Sequence, residues 1–377
     1  MREGVSRLQL TAFRSYKNLD LKLDPRPVVL SGVNGAGKTN ILEALSFLAP
    51  GRGLRKSQLL DISHKDNGQS PLQHWAVSAT VFSSLGERQI GTGLEYGPSK
   101  ERRVIKIEGE YAKNQSSLNK ELYVSWLTPQ MDRLFMEGAK ERRRFLDRLV
   151  YGLDAGHAER VARYDFFTRE RLKVLMQPKP DPQWLSTLEE KMAAEAIAIV
   201  DARVNFLHFL SEAKNQSFGN FPKAQLSLKS NLAEKLQSFP ALHVEEDLKE
   251  ELHQTRTVDR EVGRTSVGAH KDDLSVFFVD KGLHAEQCST GEQKAMLLSI
   301  IMAAARIQST INPGAALLLL DEVVAHLDES RRQALFEEIL NLNIQAWMTG
   351  TDADLFKNLD EKVQHFQVKN AIVRAIV

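Results

Sequence analysis

The stretch Gly32-Val33-Asn34-Gly35-Ala36-Gly37-Lys38-Thr39 limits the fold more than any other part of the chain. Its spacing, G-x-x-x-x-G-K-[ST], is that of a phosphate-binding loop, in which glycines bring backbone N–H groups against a polyphosphate with no Cβ in the way. Such a loop belongs between a buried strand and the start of a helix. Both flanks fit: Val28-Val29-Leu30 is a short apolar run, and Ile41, Leu42, Leu45 and Leu48 recur at helical spacing. Lys38 can then reach the β- and γ-phosphates and Thr39 can ligate Mg²⁺, with the anion at a helix N-terminus. An incidental glycine-rich turn is the bland alternative, and the strand and helix speak against it.

Signals near the other end complete this half-site. Ser289-Thr290-Gly291-Glu292-Gln293 opens a strongly apolar helix through Met296, Leu297, Ile300, Ile301 and Ala304. Ser289 and Glu292 have capping-box spacing, which accounts for both side chains without any ligand. A cap does not explain what comes next, the unbroken apolar run Ala315 to Leu320 closed by Asp321 and Glu322. A buried parallel strand reads this way when it delivers carboxylates to its C-terminal edge, where open α/β sheets bind ligands. Asp321 is then expected to hold Mg²⁺ through water, and Glu322 to orient or deprotonate an attacking water. Ala325-His326-Leu327-Asp328 leads into a helix from Ser330 to Leu340, and a last short strand, Ala346 to Thr349, ends at Gly350-Thr351-Asp352.

Before the phosphate-binding loop, Val5 to Leu10 and Leu19 to Leu23 read as strands around Phe13-Arg14-Ser15-Tyr16. Arg14 is placed by order to approach the nucleotide, or is simply part of a loop. Pro50 to Lys56 forms a basic turn with Arg52, Arg55 and Lys56. Trp75 to Phe82, Ile90 to Tyr96 and Val104 to Ile107 predict an antiparallel meander, not a βαβ repeat. The character changes at Leu127-Thr128-Pro129-Gln130, and helical spacing runs from Arg142 to Gln177 and on to Ala213, with the charged stretch to Arg264 as an extension. Its basic residues, Arg142, Arg143, Arg144, Arg148, Arg160, Arg163, Arg169, Arg171 and Lys173, either track phosphates or form a solvated face. A hairpin is expected from Leu274 to Val279, returning to Cys288. His270 beside Asp272 and Asp273 invites a metal-site reading, which the lack of a second histidine at ligand spacing disfavours.

The 377 residues, 42% of them hydrophobic, suffice for two or three lobes. A net charge of +1 gives no bulk attraction to nucleic acid, so any such contact needs a local patch. The single cysteine, Cys288, excludes an internal disulfide framework and fits a reducing compartment. The N-terminal stretch lacks the apolar core of a signal peptide, and no run approaches ~20 consecutive apolar residues. A cytoplasmic location is expected.

The order of these motifs resembles the ATP-binding-cassette ATPases, and within them the RecF family over almost the whole chain. The residues that carry the resemblance are Phe13 to Tyr16, Gly32 to Asn40 with Leu42-Glu43-Ala44, Gly51 to Arg55, Arg142 to Asp147, Val267 to Leu274, Ser289 to Gln293, Asp321 to Asp328 and Thr349 to Asp352. It implies an α/β fold: a P-loop ABC-ATPase-type head (1–141 and 265–377) with an antiparallel β subdomain, and a helical arm domain (142–264). It further implies that Gly32 to Asn40 and Arg14 hold ATP, and that Gln130 senses Mg²⁺ and water beside Thr39 and Asp321. Ser289 and Gly291 are implied to reach the γ-phosphate held by a second protomer, with Asp328 a cross-dimer contact. Members are weak, Mg²⁺-dependent, DNA-stimulated ATPases that form ATP-dependent homodimers on double-stranded DNA at gapped junctions, and help load recombinase together with RecR and RecO. Candidate DNA contacts are Arg52, Arg55, Lys56, Arg142, Arg143 and Arg144. Three departures stand out: Gln130 follows Pro129 where an acidic residue is usual, Ala269-His270-Lys271 replaces Pro-His-Arg, and no switch histidine lies near Thr349 to Asp352, leaving Thr351 or Asp352 to sense the γ-phosphate. The competing readings are a transporter ATPase subunit, a chromosome-organising ATPase with a long coiled coil, and a non-hydrolysing DNA-binding scaffold. About 250 residues between Thr39 and Ser289 count against the first, and helices gaining only ~1.5 Å per residue are too short for the second.

Overall fold

A computed structural model of the chain describes residues 3–65, 74–96, 101–213, 221–311, 314–324, 327–342 and 344–376. Asn312-Pro313 and Ala325-His326 lie outside the described residues. The chain divides into two compact units, the first made of 1–132, 216–222 and 289–377, the second of 133–215 and 223–288.

Among the described residues, the first unit holds two six-stranded sheets. In the antiparallel one, β1 (Gly4–Phe13) and β2 (Tyr16–Lys22) join the meander of β4 (Ala76–Ser83), β5 (Gly86–Tyr96), β6 (Glu101–Ile107) and β7 (Glu110–Tyr111), in the order β2-β1-β4-β5-β6-β7. In the other, β3 (Val28–Ser31), β8 (Leu122–Leu127), β12 (Ala315–Leu320), β13 (Gln345–Gly350), β14 (Gln364–Lys369) and β15 (Ile372–Ile376) run in the order β15-β14-β3-β13-β12-β8. All neighbours in this sheet are parallel except β14 and β15. Helix α1 (Lys38–Ser46) contributes Ile41, Leu42 and Leu45 to one core with Leu8, Leu10 and Val77 of the antiparallel sheet and Leu30, Leu317 and Leu319 of the parallel sheet. Because side chains alternate along a strand, Ala316, Leu318 and Leu320 face the other way. Helix α8 (Thr290–Ile311) packs against β8 and β12. It is long and apolar enough to cross a bilayer, yet 67% of that window is buried inside the protein, as in a core helix.

Sequence pattern did not foresee two elements of this sheet. Strand β8 is buried at every position, but Ser125 and Tyr123 interrupt its apolar run. Its register against β12, Leu122 opposite Ala315 through Leu127 opposite Leu320, is what makes it a strand. The β14–β15 hairpin closes through Asn370 and Ala371, both at positive φ (49° and 58°), the geometry that suits a two-residue turn between twisted strands.

The second unit contains α2 (Ala139–Val150), α3 (His157–Leu175), α4 (Pro182–Ala213), β9 (Ala224–Lys229), α5 (Asn231–Ser238), α6 (Ala241–Gln254), α7 (Arg256–Val262), β10 (Asp273–Phe278) and β11 (Leu283–His284). Met192, Ala196, Ile199 and Val200 of α4 pack with Leu232, Val244, Leu248 and Leu252 in one apolar cluster. The stretch after Ala213 is therefore not a simple helical extension. Its first element among the described residues is β9, which pairs with β10 over Ala224 to Lys229 and draws β10 into this unit. The expected return strand to Cys288 shrinks to the two residues of β11, because a short 3-10 turn over Ala285–Gln287 follows at once.

Several arginines of the basic run in α2 and α3 have partners inside this unit, while Arg144, Arg163 and Lys173 stay largely exposed. Arg142 grips Asp273 through two bonds of 2.7 Å, and Arg143 donates to the Asp272 carbonyl at 2.5 Å. Both brace this unit. Arg171 is fully buried between Glu189 (2.9 Å) and Asp259 (2.7 Å). Arg144 pairs with Glu141 one turn back and stays half exposed. His270 is held between the Tyr164 hydroxyl (2.7 Å) and the Thr265 carbonyl (2.9 Å), so its ring is a packing group, and burial lowers its pKa.

Candidate nucleotide site

The parallel sheet brings the separated motifs to one edge. In a parallel sheet all strands end on the same side, and β3, β13, β12 and β8 are neighbours. The loop after β3, Thr349-Gly350 of β13, Asp321-Glu322 after β12 and Gln130 after β8 thus share one C-terminal rim, although nearly the whole chain separates them in sequence.

The loop itself is set by two glycines. Gly32 has φ 152°, and a Cβ there would lie 2.2 Å from the Val368 carbonyl of β14. Gly37 has φ 113°, and a Cβ would lie 2.8 Å from the Tyr16 hydroxyl, which donates to the Gly37 carbonyl at 3.1 Å. The β14–β15 turn also presses on the loop, with Ala371 N–H donating to the Ala36 carbonyl at 3.0 Å. Between these supports Val33, Asn34 and Gly35 form an exposed arch. Lys38 is buried beneath it, its Nζ donating to the Gly32 and Val33 carbonyls at 2.5 and 3.1 Å. Burial lowers the Lys38 pKa, and the nearby Glu322 and Asp321 carboxylates pull it back up.

Opposite the lysine lies a compact oxygen cluster. The Asp321 Oδ1 accepts from Thr39 Oγ1 at 2.9 Å and from Thr349 Oγ1 at 2.8 Å. Burial raises the Asp321 pKa, and the two hydroxyl bonds work against that rise. Glu322 has φ 53°, an unusual backbone for a non-glycine residue, and its N–H donates to Thr349 Oγ1 at 2.9 Å. Among the described residues no group of three or more His, Cys, Asp or Glu could hold a metal ion. A site made of one hydroxyl and one carboxylate suits Mg²⁺, which is usually held by one or two carboxylates together with substrate phosphates and waters.

Ser289 caps α8: its N–H and Oγ both donate to Glu292 Oε2 at 2.9 Å. Ser289, Thr290 and Gly291 are exposed, so this helix start faces solvent.

Comparison with known proteins follows the same lines. Residues 4–374 match the RecF/RecN/SMC N-terminal domain family. The DNA replication and repair protein RecF of Rhizobium meliloti (strain 1021) is 42% identical over 371 residues, covering 98% of both chains. The protein of that name from Mesorhizobium japonicum is 42% identical over 373 residues, covering 98% of this chain and 97% of its own. The chain belongs to the RecF family. Among solved structures, the recombination mediator protein RecF-ATP of the RecFOR pathway superposes with a TM-score of 0.84 at 22% identity, covering 100% of this chain and 99% of that one. An Smc head bound to the C-winged helix domain of ScpA gives 0.56 at 15% identity, covering 99% and 96%. The fold is that of an ABC-ATPase head of the RecF and SMC kind.

Within this RecF-family head, the remaining expected site residues fall as follows. Gln130 lies exposed in the 3-10 turn Pro129–Arg133, at the same rim as Asp321. Asp328 caps α9 (Glu329–Asn341), accepting from Arg331 N–H at 2.9 Å, and is exposed. Arg14, at φ 52°, points into the head: it meets the fully buried Glu43 at 2.9 and 2.7 Å and donates to Ser57 Oγ at 2.5 Å and the Asp61 carbonyl at 2.7 Å. Arg55 donates to the same carboxylate at 2.9 Å and to Asn40 Oδ1 at 2.8 Å. Glu43 therefore ties the basic turn and β1–β2 to the helix that carries Lys38 and Thr39. Arg52 and Lys56 are exposed on that turn.

Sequence reasoning did not assign roles to Glu43, Tyr16 and Thr349. For Glu43 a signal existed, since a carboxylate among Ile41, Leu42, Ala44 and Leu45 on the apolar face of α1 needs a cation. Thr349 gave none, because threonine is ordinary in a strand.

Proposed function

We propose that this chain is a Mg²⁺-dependent ATPase of DNA replication and recombinational repair that binds double-stranded DNA as an ATP-dependent homodimer. The observation that carries the reading is the convergence of Lys38, Thr39, Asp321 and Glu322 on one rim of the parallel sheet. ATP lies with its phosphates over the loop Gly32 to Thr39, where backbone N–H groups, the α1 N-terminus and Lys38 neutralise them. When bound, Mg²⁺ is held by Thr39 and Asp321 and offsets charge on the β- and γ-phosphates. Glu322 takes the proton of a water whose oxygen bonds to the γ-phosphorus as the bond to the bridging oxygen breaks, giving ADP and phosphate. Gln130 orients that water.

Ser289 and Gly291 of one protomer close on the γ-phosphate held by the other, using the exposed N-terminus of α8, and Asp328 meets the partner beside it. ATP stabilises the closed pair only through its greater affinity for that state, and slow hydrolysis reopens it. Exposed Arg52 and Lys56 of the first unit, and independently Arg144 of the second, are cations for duplex DNA next to a single-stranded gap, where RecR and RecO act with it in recombinase loading. Membership of the RecF family replaces the transporter reading.

The test is binding to a short duplex with a single-stranded extension, titrated with salt, with Mg²⁺-ATP and without nucleotide. Binding that needs ATP, weakens with salt and disappears in Lys38→Met supports the clamp. Absence of binding in every state at low salt sinks it.

A further inference from the structure

Thr349 is fully buried in β13, the strand that separates β3 from β12, opposite Leu30 of β3. A valine would fill the same space with the same β-strand preference, so packing alone does not call for an oxygen there. What the oxygen does is polar. The carboxylate of Asp321 can only accept, so the Thr349 proton points to it at 2.8 Å. A lone pair on the same oxygen accepts the Glu322 N–H at 2.9 Å. One atom thereby holds the side chain of one acidic residue and the backbone of the next. The Glu322 peptide sits at φ 53°, a conformation that persists only where surrounding contacts impose it.

We infer that Thr349 is a positioning residue for hydrolysis: its hydroxyl locks the metal-holding carboxylate of Asp321 and the kinked backbone of Glu322 into one unit. The inference rests on the ATPase reading above. Thr39 reaches the same Oδ1 at 2.9 Å from the phosphate loop, so both strand and loop fix this oxygen while only Thr349 also restrains Glu322. Loss of Thr349 then disturbs the water-activating group more than the phosphate cradle. The rate of the chemical step falls while nucleotide still binds. Thr349 also adjoins Gly350-Thr351-Asp352, so the loop expected to sense the γ-phosphate leaves directly from this anchor.

Thr349→Val, Thr349→Ser and Asp321→Asn, with Glu322→Gln as the reference, separate the roles. Single-turnover ATP hydrolysis in Thr349→Val falls about ten- to a hundredfold, the range expected for a hydrogen bond to a charged group. Affinity for a fluorescent ATP analogue without Mg²⁺ stays within about twofold, whereas the gain in affinity on adding Mg²⁺ shrinks. Thr349→Ser, which keeps the hydroxyl, returns hydrolysis to within about threefold of the parent. The Thr349→Val and Asp321→Asn losses combine non-additively if they act through one unit. Thr349→Ala serves for the same binding and turnover measurements where the valine variant folds poorly. Thr349→Val turning over at the parent rate, or Thr349→Ser as slow as Thr349→Val, overturns the inference. A parent that hydrolyses no ATP, or a Glu322→Gln protein as fast as the parent, instead removes the ATPase reading and the inference with it.

Discussion

Replacing Arg203 by methionine tests how the second unit is held together. Arg203 on α4 is almost fully buried and donates to both oxygens of Asp147 at 2.8 and 2.9 Å, to Asp272 at 2.8 Å and to the Ala269 carbonyl at 2.8 Å. Burial pushes Asp147 up, but Arg203 and His157 more than offset it and hold the carboxyl below its usual range. Asp272 stays raised by burial even with Arg203 present. Methionine keeps most of the stem and removes the fork, leaving two buried carboxylates with His157, Arg143 and Ser230 as their remaining neighbours. Breaking a buried pair by removing one partner costs about 3–5 kcal/mol. At ~2–4 °C per kcal/mol for a unit of this size, the melting temperature falls by roughly 6–20 °C. The pH dependence carries the sign. In the parent, the depressed Asp147 contributes stability that is present above its unfolded pKa and lost as pH falls through the lower folded value. In the variant both carboxyls lie above their unfolded values, so the folded state binds more protons and stability falls as pH rises through that window. Urea unfolding followed by far-UV circular dichroism at neutral and mildly acidic pH therefore shows a large deficit that narrows on acidification. A loss under about 1 kcal/mol at neutral pH, or a deficit that widens in acid, refutes the reasoning.

Three further perturbations probe the head. Gly32→Ala drives a methyl to 2.2 Å from the Val368 carbonyl, backbone that cannot step aside cheaply, so the variant loses about 1–3 kcal/mol in thermal melts and binds ATP poorly even when folded. Glu43→Gln weakens the Arg14 and Arg55 contacts and costs about 1–3 kcal/mol, mostly through Arg14 because Arg55 is more solvent-screened; limited trypsin digestion should cut faster at Arg52, Arg55 and Lys56. Because burial raises Asp321, protons compete with Mg²⁺ there at a higher pH than at an ordinary aspartate, so the Mg²⁺-dependent part of nucleotide affinity declines on mild acidification and is abolished by chelation; an acid profile matching a free carboxylate would contradict this.

Much of this molecule is written locally. The loop Gly32 to Thr39, the apolar run Ala315 to Leu320 with its two carboxylates, and the capping pair Ser289 and Glu292 are contiguous, because each needs special backbone or unbroken burial at adjacent positions. Their residue types are therefore readable before any fold is known. The helical stretches of the second unit were legible for the same reason, through their spacing.

Tertiary structure decided which of these signals meet, and which charges remain free. Strand β8 became a strand through pairing with β12, and the β14–β15 hairpin set the wall that makes Gly32 a glycine. Arg142 and Arg143 read as a basic run, and only the fold brings Asp273 and the Asp272 carbonyl, about 130 positions away, to them. Glu43 and Thr349 acquired their roles only when Arg14, Arg55, Asp321 and Glu322 arrived around them. Backbone propensity and burial pattern act over a few residues and leave a trace in the sequence; hydrogen bonds and ion pairs between distant segments depend on the packing that brings them within about 3 Å, and local pattern carries no record of it.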